Sequence, residues 1–121
     1  MRTIKFRFWQ PSTRTMQKWE DYQQYGIFEM FNNVDSIPLQ FTGLTDKNGV
    51  EIYEGDILTY KRSVGNWTGQ FITTTHKIVF SDEVFAFVMK YGTSYIKLRK
   101  HWGYEYEIVG NIYQNEHFLN T

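Results

Sequence analysis

The segment from Gln40 to Leu58 constrains the fold of this chain more than any other stretch, because it places closely spaced turn signals next to apolar runs. Asn48-Gly49 supplies positive backbone φ angles at little cost, and the side chain of Asp46 can hydrogen-bond to backbone two residues further on. A second turn at Gly55 directly precedes the apolar pair Ile57-Leu58. The segment therefore predicts a tight hairpin followed by a reversal of the chain into a barrel strand.

Short strand-like runs separated by Gly, Asn, Ser or Asp occupy most of the remaining chain. One of them, Ile4 to Trp9, precedes the turn-rich segment and alternates like a half-buried strand. The others follow at the spacing of a meander: Ile57–Lys61, Phe71–Phe80, Val84–Lys90, Tyr95–Lys100 and Tyr104–Val109. Within Tyr95–Lys100, alternation is expected to place Tyr95, Lys97 and Arg99 on one side and Ile96 and Leu98 on the other. Because closure of such a sheet limits exposed edges, we predict a mostly β fold with minor α. Its form is a small, strongly bent sheet or an SH3-like barrel with an N-terminal strand.

One short helix is predicted between the first strand and the turn-rich segment. Residues at approximately helical spacing follow the first strand: Met16, Trp19, Tyr22, Gly26 and Met30. Gly26 and the aromatic residues weaken helix propensity, which limits the predicted helix to about Thr15 to Tyr25.

Length and charge bound the class of protein. The chain has 121 residues, which fits a single domain over residues 1–121, and no internal repeat or linker marks a second one. Thirteen basic and thirteen acidic residues cancel, so no global field attracts nucleic acid or a membrane. The lack of cysteine, of a signal-like N-terminus and of a long apolar run predicts a cytoplasmic protein with no membrane partner.

Three separated blocks of sequence resemble the YopX family of small proteins, which are encoded largely by bacteriophages and prophages. They are Ile4 to Trp9 with Met16 following, Leu39 to Leu58, and Ile108 to Asn115. The middle block is the most specific, because Thr-Gly-Leu, Asp-Lys-Asn-Gly and Ile-Tyr-Glu-Gly-Asp-Ile occur in close succession.

The resemblance implies a mostly β fold and a phage or prophage origin in a bacterial host, and it brings no settled enzymatic role. The residues that carry the family signature are assigned to turns and to the fold: Gly43, Asp46, Asn48, Gly49, Tyr53, Glu54, Gly55, Asp56, Gly110 and Asn111.

No catalytic, metal or cofactor site is predicted from the residue pattern. Asp46, Glu51, Glu54 and Asp56 form the strongest carboxylate group, but turn formation and backbone capping explain them better than proton transfer or cation binding. The three histidines lack ligand spacing, and no Gly-x-Ser-x-Gly elbow or phosphate-binding glycine loop is present. The chain is therefore expected to be no enzyme, with a hydrolase or nuclease built on Asp56 as the remaining alternative.

Two binding hypotheses follow. The leading one is an accessory protein that binds a host or phage protein, because aromatic residues are abundant and Trp and Tyr are enriched at binding hot spots. The other is a nucleic-acid-binding barrel that uses the Tyr95–Tyr104 region, with contacts from Lys97, Arg99, Lys100 and Trp102. Glu105 and Glu107 nearby favour a solvated strand face over this interface. The sequence also leaves self-association through edge strands open.

Overall fold

The structure is a computed structural model that describes residues 3–22, 31, 35–63, 69–100 and 105–120. The elements in chain order are β1 (Phe6–Gln10), β2 (Thr15–Gln17), a 3₁₀ helix (Trp19–Tyr22), β3 (Ile37–Thr45), β4 (Glu51–Tyr53), β5 (Asp56–Ser63), β6 (Phe71–Ser81), β7 (Ala86–Tyr91), β8 (Ser94–Lys97), β9 (Tyr106–Asn111) and a 3₁₀ helix (Glu116–Asn120). The predicted mostly β fold is confirmed. No helix in these ranges is long and apolar enough to cross a membrane.

The strands form two antiparallel sheets. The N-terminal sheet has the order β2-β1-β3-β4, and the C-terminal sheet has the order β8-β7-β6-β5-β9. The chain passes from one to the other at Gly55, whose N–H donates to the Ile78 carbonyl (2.8 Å) and whose carbonyl accepts from the Ile112 N–H (2.9 Å). A further backbone bond joins Lys47 N–H to the Tyr106 carbonyl (2.9 Å). These bonds tie both sheets together around the turn-rich segment.

The main core lies on one face of the C-terminal sheet. Its buried members are Leu58, Tyr60, Ile78, Met89 and Tyr106, joined by Ile52 of β4. Residues paired across the strands share a face, so Lys77, Lys90 and Tyr95 lie in register on the opposite face, which we call the outer face. The predicted alternation at β8 is confirmed, since Ile96 is half-buried between exposed neighbours.

Two local predictions are wrong. Thr15–Gln17, at the start of the predicted helix, is a strand because the turn after β1 returns it in register against that strand. Residues 19–22 form a 3₁₀ helix, and residues 23–25 of the predicted helix lie outside the described ranges. β1 is buried on both sides rather than one, because Phe8 and Trp9 are both buried and Trp9 stacks on Tyr113 (ring centroids 5.3 Å apart).

Candidate interaction surfaces

Asp46 uses both carboxylate oxygens inside the fold. Its Oδ1 accepts the N–H groups of Asn48 (2.9 Å) and Val50 (3.0 Å), which shapes the turn between β3 and β4. Its Oδ2 accepts the N–H of Ile108 on β9 (3.0 Å), so the same side chain fastens the turn to the C-terminal sheet. Asp46 is only 5% exposed. Its chemistry is that of a buried acceptor for backbone donors.

Asp56 is the second buried carboxylate of the segment, with 2% of its surface exposed. Its Oδ1 accepts a hydrogen bond from Arg7 of β1 (2.5 Å), and its Oδ2 accepts the Tyr53 N–H (2.8 Å). Burial raises the pKa of the Asp56 carboxyl, and Arg7 and the Tyr53 N–H offset part of that rise. The ion pair joins the N-terminal strand to the turn before β5. Asp56, the basis of the alternative hydrolase or nuclease hypothesis, therefore has both carboxylate oxygens bound within the fold.

Tyr53 extends this arrangement, because the Arg7 guanidinium lies over its ring, 4.7 Å from the ring centre. Burial, followed by the charges of Glu51 and Glu20, raises the pKa of Tyr53 to about 12. The phenol therefore stays neutral in any ordinary buffer and acts as a packing surface for the cation.

The remaining signature residues also have contacts within the fold. The Glu54 carboxylate accepts the Gln40 N–H (3.2 Å), and the Asn111 side chain accepts the N–H groups of Tyr113 and Gln114 (both 3.0 Å). Gly43, Gly49 and Gly55 have positive φ angles of 89°, 78° and 88°. Gly110 is required for space, since a Cβ there would lie 2.4 Å from the Asn115 side-chain oxygen. Among the described residues, no group of three or more His, Asp or Glu side chains is arranged to hold a metal ion.

A groove of about 490 Å³ lies beside this arrangement. Its lining consists of Arg7, Met16, Lys18, Glu20, Val50, Glu51 and Tyr53. Two cations and two carboxylates line it, and one of each is paired outside the lining: Arg7 with Asp56, and Glu51 with Lys5. The groove therefore has no net electrostatic preference for a ligand.

The predicted nucleic-acid residues do not share one surface. Lys97 is exposed on β8 and its register partner on β7 is Val88, which places it on the outer face. Lys100 instead lines a groove on the other side of the sheet, together with Leu98. The exposed residue Arg99 lies between them, and its backbone N–H donates to the Tyr106 hydroxyl (3.1 Å). Trp102 lies outside the described ranges.

The hairpin between β6 and β7 presents an unusual aromatic residue. Phe85 is 80% exposed and has a φ of 53°, in the left-handed region where a bulky side chain crowds its own backbone. Beside it, Phe80 and Phe87 pack edge to face with ring centres 5.4 Å apart. These three rings line a groove of about 320 Å³, which we call the hairpin groove and which includes Thr42, Leu44, Ala86, Leu98 and Lys100.

Arg14 can be compared directly with Phe85, because it is the other non-glycine residue with a positive φ in the described chain, also at 53°. Its side chain donates to the Tyr113 carbonyl (3.2 Å) and lies over the Trp9 ring, 5.8 Å from the ring centre. The strained backbone at Arg14 thus places a side chain in contact with the rest of the protein. Phe85 carries the same strain while most of its ring faces solvent.

Sequence reasoning missed Phe85 because it lay inside a predicted strand, Val84 to Lys90, where an aromatic residue is ordinary. The strand begins only at Ala86, and residues 82–85 form the turn. Asp82 and Glu83 already lay between the two predicted strands, so the turn itself was predicted, but its extension to Phe85 was not.

Comparison with known proteins decides the family. The sequence matches the YopX protein family over residues 8–120. The chain belongs to the YopX family. No curated protein matches it significantly.

The crystal structure of protein EF1440 from Enterococcus faecalis is similar to this YopX family member, with a TM-score of 0.67. The similarity covers 98% of this chain and 99% of that chain at 22% sequence identity, so it establishes a shared fold and no activity. The family match spans every signature residue, and all of them now have a described place in the turns and strands of this fold.

Proposed function

We propose that this YopX family member is a non-enzymatic accessory protein of a phage or prophage that binds another protein through the hairpin groove. The observation that carries the proposal is Phe85, a bulky side chain kept exposed by a strained backbone. A left-handed conformation costs an ordinary residue about 1–2 kcal/mol, and here that cost is not offset by burial of the ring. Strain of this kind that persists at one exposed residue is typical of a binding site.

The groove next to Phe85 indicates the chemistry of the partner. Phe80, Phe87 and Leu98 give it an apolar floor, and Lys100 is the charged residue among its lining residues. An apolar side chain of the partner would fill the groove beside Phe85, and a carboxylate next to it would pair with Lys100. The partner we propose is therefore a protein segment with an apolar anchor flanked by an acidic residue, the arrangement of an interface hot spot with a charged rim.

The test compares capture of proteins from a bacterial lysate by immobilised wild-type protein, the Phe85→Asn variant and a matched control, Phe71→Thr. Phe71 is also an exposed aromatic residue but lies at the far end of β6, where Lys61 covers its ring. We expect one protein to be enriched by wild type and by Phe71→Thr and to be lost with Phe85→Asn. With the purified partner, Lys100→Glu should weaken the Kd by about tenfold, which is about 1.4 kcal/mol. Equal capture by Phe85→Asn, or no enriched protein at all, contradicts the proposal.

A further inference from the structure

The outer face of the C-terminal sheet carries a group of lysines that the sequence did not place together. Lys77 on β6 and Lys90 on β7 are direct cross-strand partners, and Lys97 on β8 lies on the same face. None of the three forms an ion pair with any residue in the described ranges. Like charges placed directly opposite each other destabilise a sheet by a few tenths of a kcal/mol to about 1 kcal/mol. The fold therefore maintains an unfavourable concentration of positive charge on this face.

Tyr95 lies within this group, because its register partner on β7 is Lys90. Its ring is exposed, and the next residue on the same side of β8 is Lys97. Neighbouring strands are about 4.8 Å apart and alternate residues along a strand about 6.8 Å apart. One aromatic ring thus has a cation beside it in two directions, across the sheet and along the strand.

Acidic residues lie on two sides of the group. Asp82 and Glu83 of the β6–β7 turn line a groove of about 320 Å³ together with Lys90 and Tyr95. Lys77 and Lys97 do not line that groove. In the other direction the outer face continues along β5 and β6 through Thr59, Thr73 and Thr75. It then reaches Glu107 of β9, which is the register partner of Thr59 and forms an ion pair with Lys47. The three threonines are uncharged, and they separate the lysines from the Glu107–Lys47 ion pair.

We infer that this outer face binds single-stranded nucleic acid, with Lys77, Lys90 and Lys97 on the phosphates and Tyr95 stacked on a base. A stacking ring flanked by cations matches the alternation of base and phosphate in a single strand. A duplex hides its base faces, so it would use the lysines but not Tyr95. The surface is separate from the hairpin groove, and the inference stands independently of the proposed protein partner.

Fluorescence anisotropy with a labelled oligodeoxythymidine of about 16 nucleotides tests the inference. We expect binding at about 50 mM salt that weakens steeply towards 200 mM. The Lys77→Gln, Lys90→Gln, Lys97→Gln triple variant should raise the Kd by at least about tenfold and reduce the slope of log K against log salt by about 2, because three phosphate contacts are lost. Tyr95→Ala should weaken binding by about tenfold, and Tyr95→Phe should retain it.

The control is Lys18→Gln with Arg62→Gln, which removes exposed charges from elsewhere on the molecule. It should change the affinity by much less than the triple variant. Absence of binding at about 50 mM salt, an equal loss in the control, or tighter binding of a duplex of the same length would each overturn the inference. Phe85→Asn should leave the oligonucleotide affinity unchanged, which separates this result from the test of the hairpin groove.

Discussion

The turn-rich segment from Gln40 to Leu58 and the β6–β7 hairpin use their unusual residues in opposite ways. In the first region, the carboxylates of Asp46 and Asp56 are buried and hydrogen-bonded to backbone or to Arg7. In the second, Phe85 adopts a strained backbone conformation while its ring remains exposed. The carboxylates that suggested a catalytic or metal site in the sequence thus stabilise the fold. Phe85, which the sequence assigned to a strand, is the stronger candidate for binding.

The largest loss of stability is expected at Asp56, in the turn-rich segment. We expect Asp56→Ala to lower the free energy of unfolding by about 4 kcal/mol, because it leaves Arg7 without its carboxylate and the Tyr53 N–H without an acceptor. Urea denaturation measures this loss. The Arg7→Met, Asp56→Leu double variant should recover part of it, since no unpaired cation remains. A loss below about 1 kcal/mol for Asp56→Ala would mean that the buried pair does not hold the two regions together.

Asp46→Ala should have the next largest effect, a loss of about 3 kcal/mol, because three backbone N–H groups lose their acceptor. Asp46→Asn is the informative partner variant. Its oxygen can still serve the turn, but its NH₂ group cannot accept from Ile108, so an intermediate loss is expected in the same urea titration. If Asp46→Asn were as stable as wild type, the link from the turn to β9 would contribute little.

Substitution of two signature glycines by alanine should lower the free energy of unfolding by smaller amounts, and for a different reason at each position. Gly110→Ala should cost about 2 kcal/mol because the added methyl overlaps Asn115, whose side chain accepts the Asn111 N–H. Gly43→Ala should cost about 1 kcal/mol through its positive φ alone, since no atom lies within 4 Å of the added methyl. In an Asn115→Gly background only the Gly110→Ala loss should shrink, which a double-mutant cycle measures. Equal shrinkage of both losses would contradict separate causes.

Much of the fold could be read from local sequence. The turn at Asn48-Gly49, the reversal at Gly55 and the alternation at β8 are short-range signals, and each appears in the structure close to where it was predicted. The strand Thr15–Gln17 was missed because its pairing with β1 depends on the preceding turn, while its own residues also suit a helix.

The candidate surfaces were harder to predict because they depend on register. Lys77 and Lys90 are thirteen positions apart in the chain, and only the length of the β6–β7 hairpin makes them cross-strand partners. The β7–β8 register places Lys97 on the outer face, whereas Lys100, beyond the end of β8, lines the hairpin groove, although the sequence had grouped the two as one basic stretch. A shift of one residue would exchange the two faces of β7, so local pattern alone could not assign these side chains to a surface.

The most direct test of the role assigned to Phe85 is the urea stability of Phe85→Asn, measured beside Arg14→Asn at the other strained residue. Asparagine tolerates the left-handed conformation, so both changes relieve backbone strain. We expect Phe85→Asn to raise the free energy of unfolding by about 1 kcal/mol, because its exposed ring contributes little to the fold. Arg14→Asn should give no gain, because the contacts with Tyr113 and Trp9 are lost. A loss of stability in Phe85→Asn would show that the ring supports the fold, and would contradict its assignment as a binding residue.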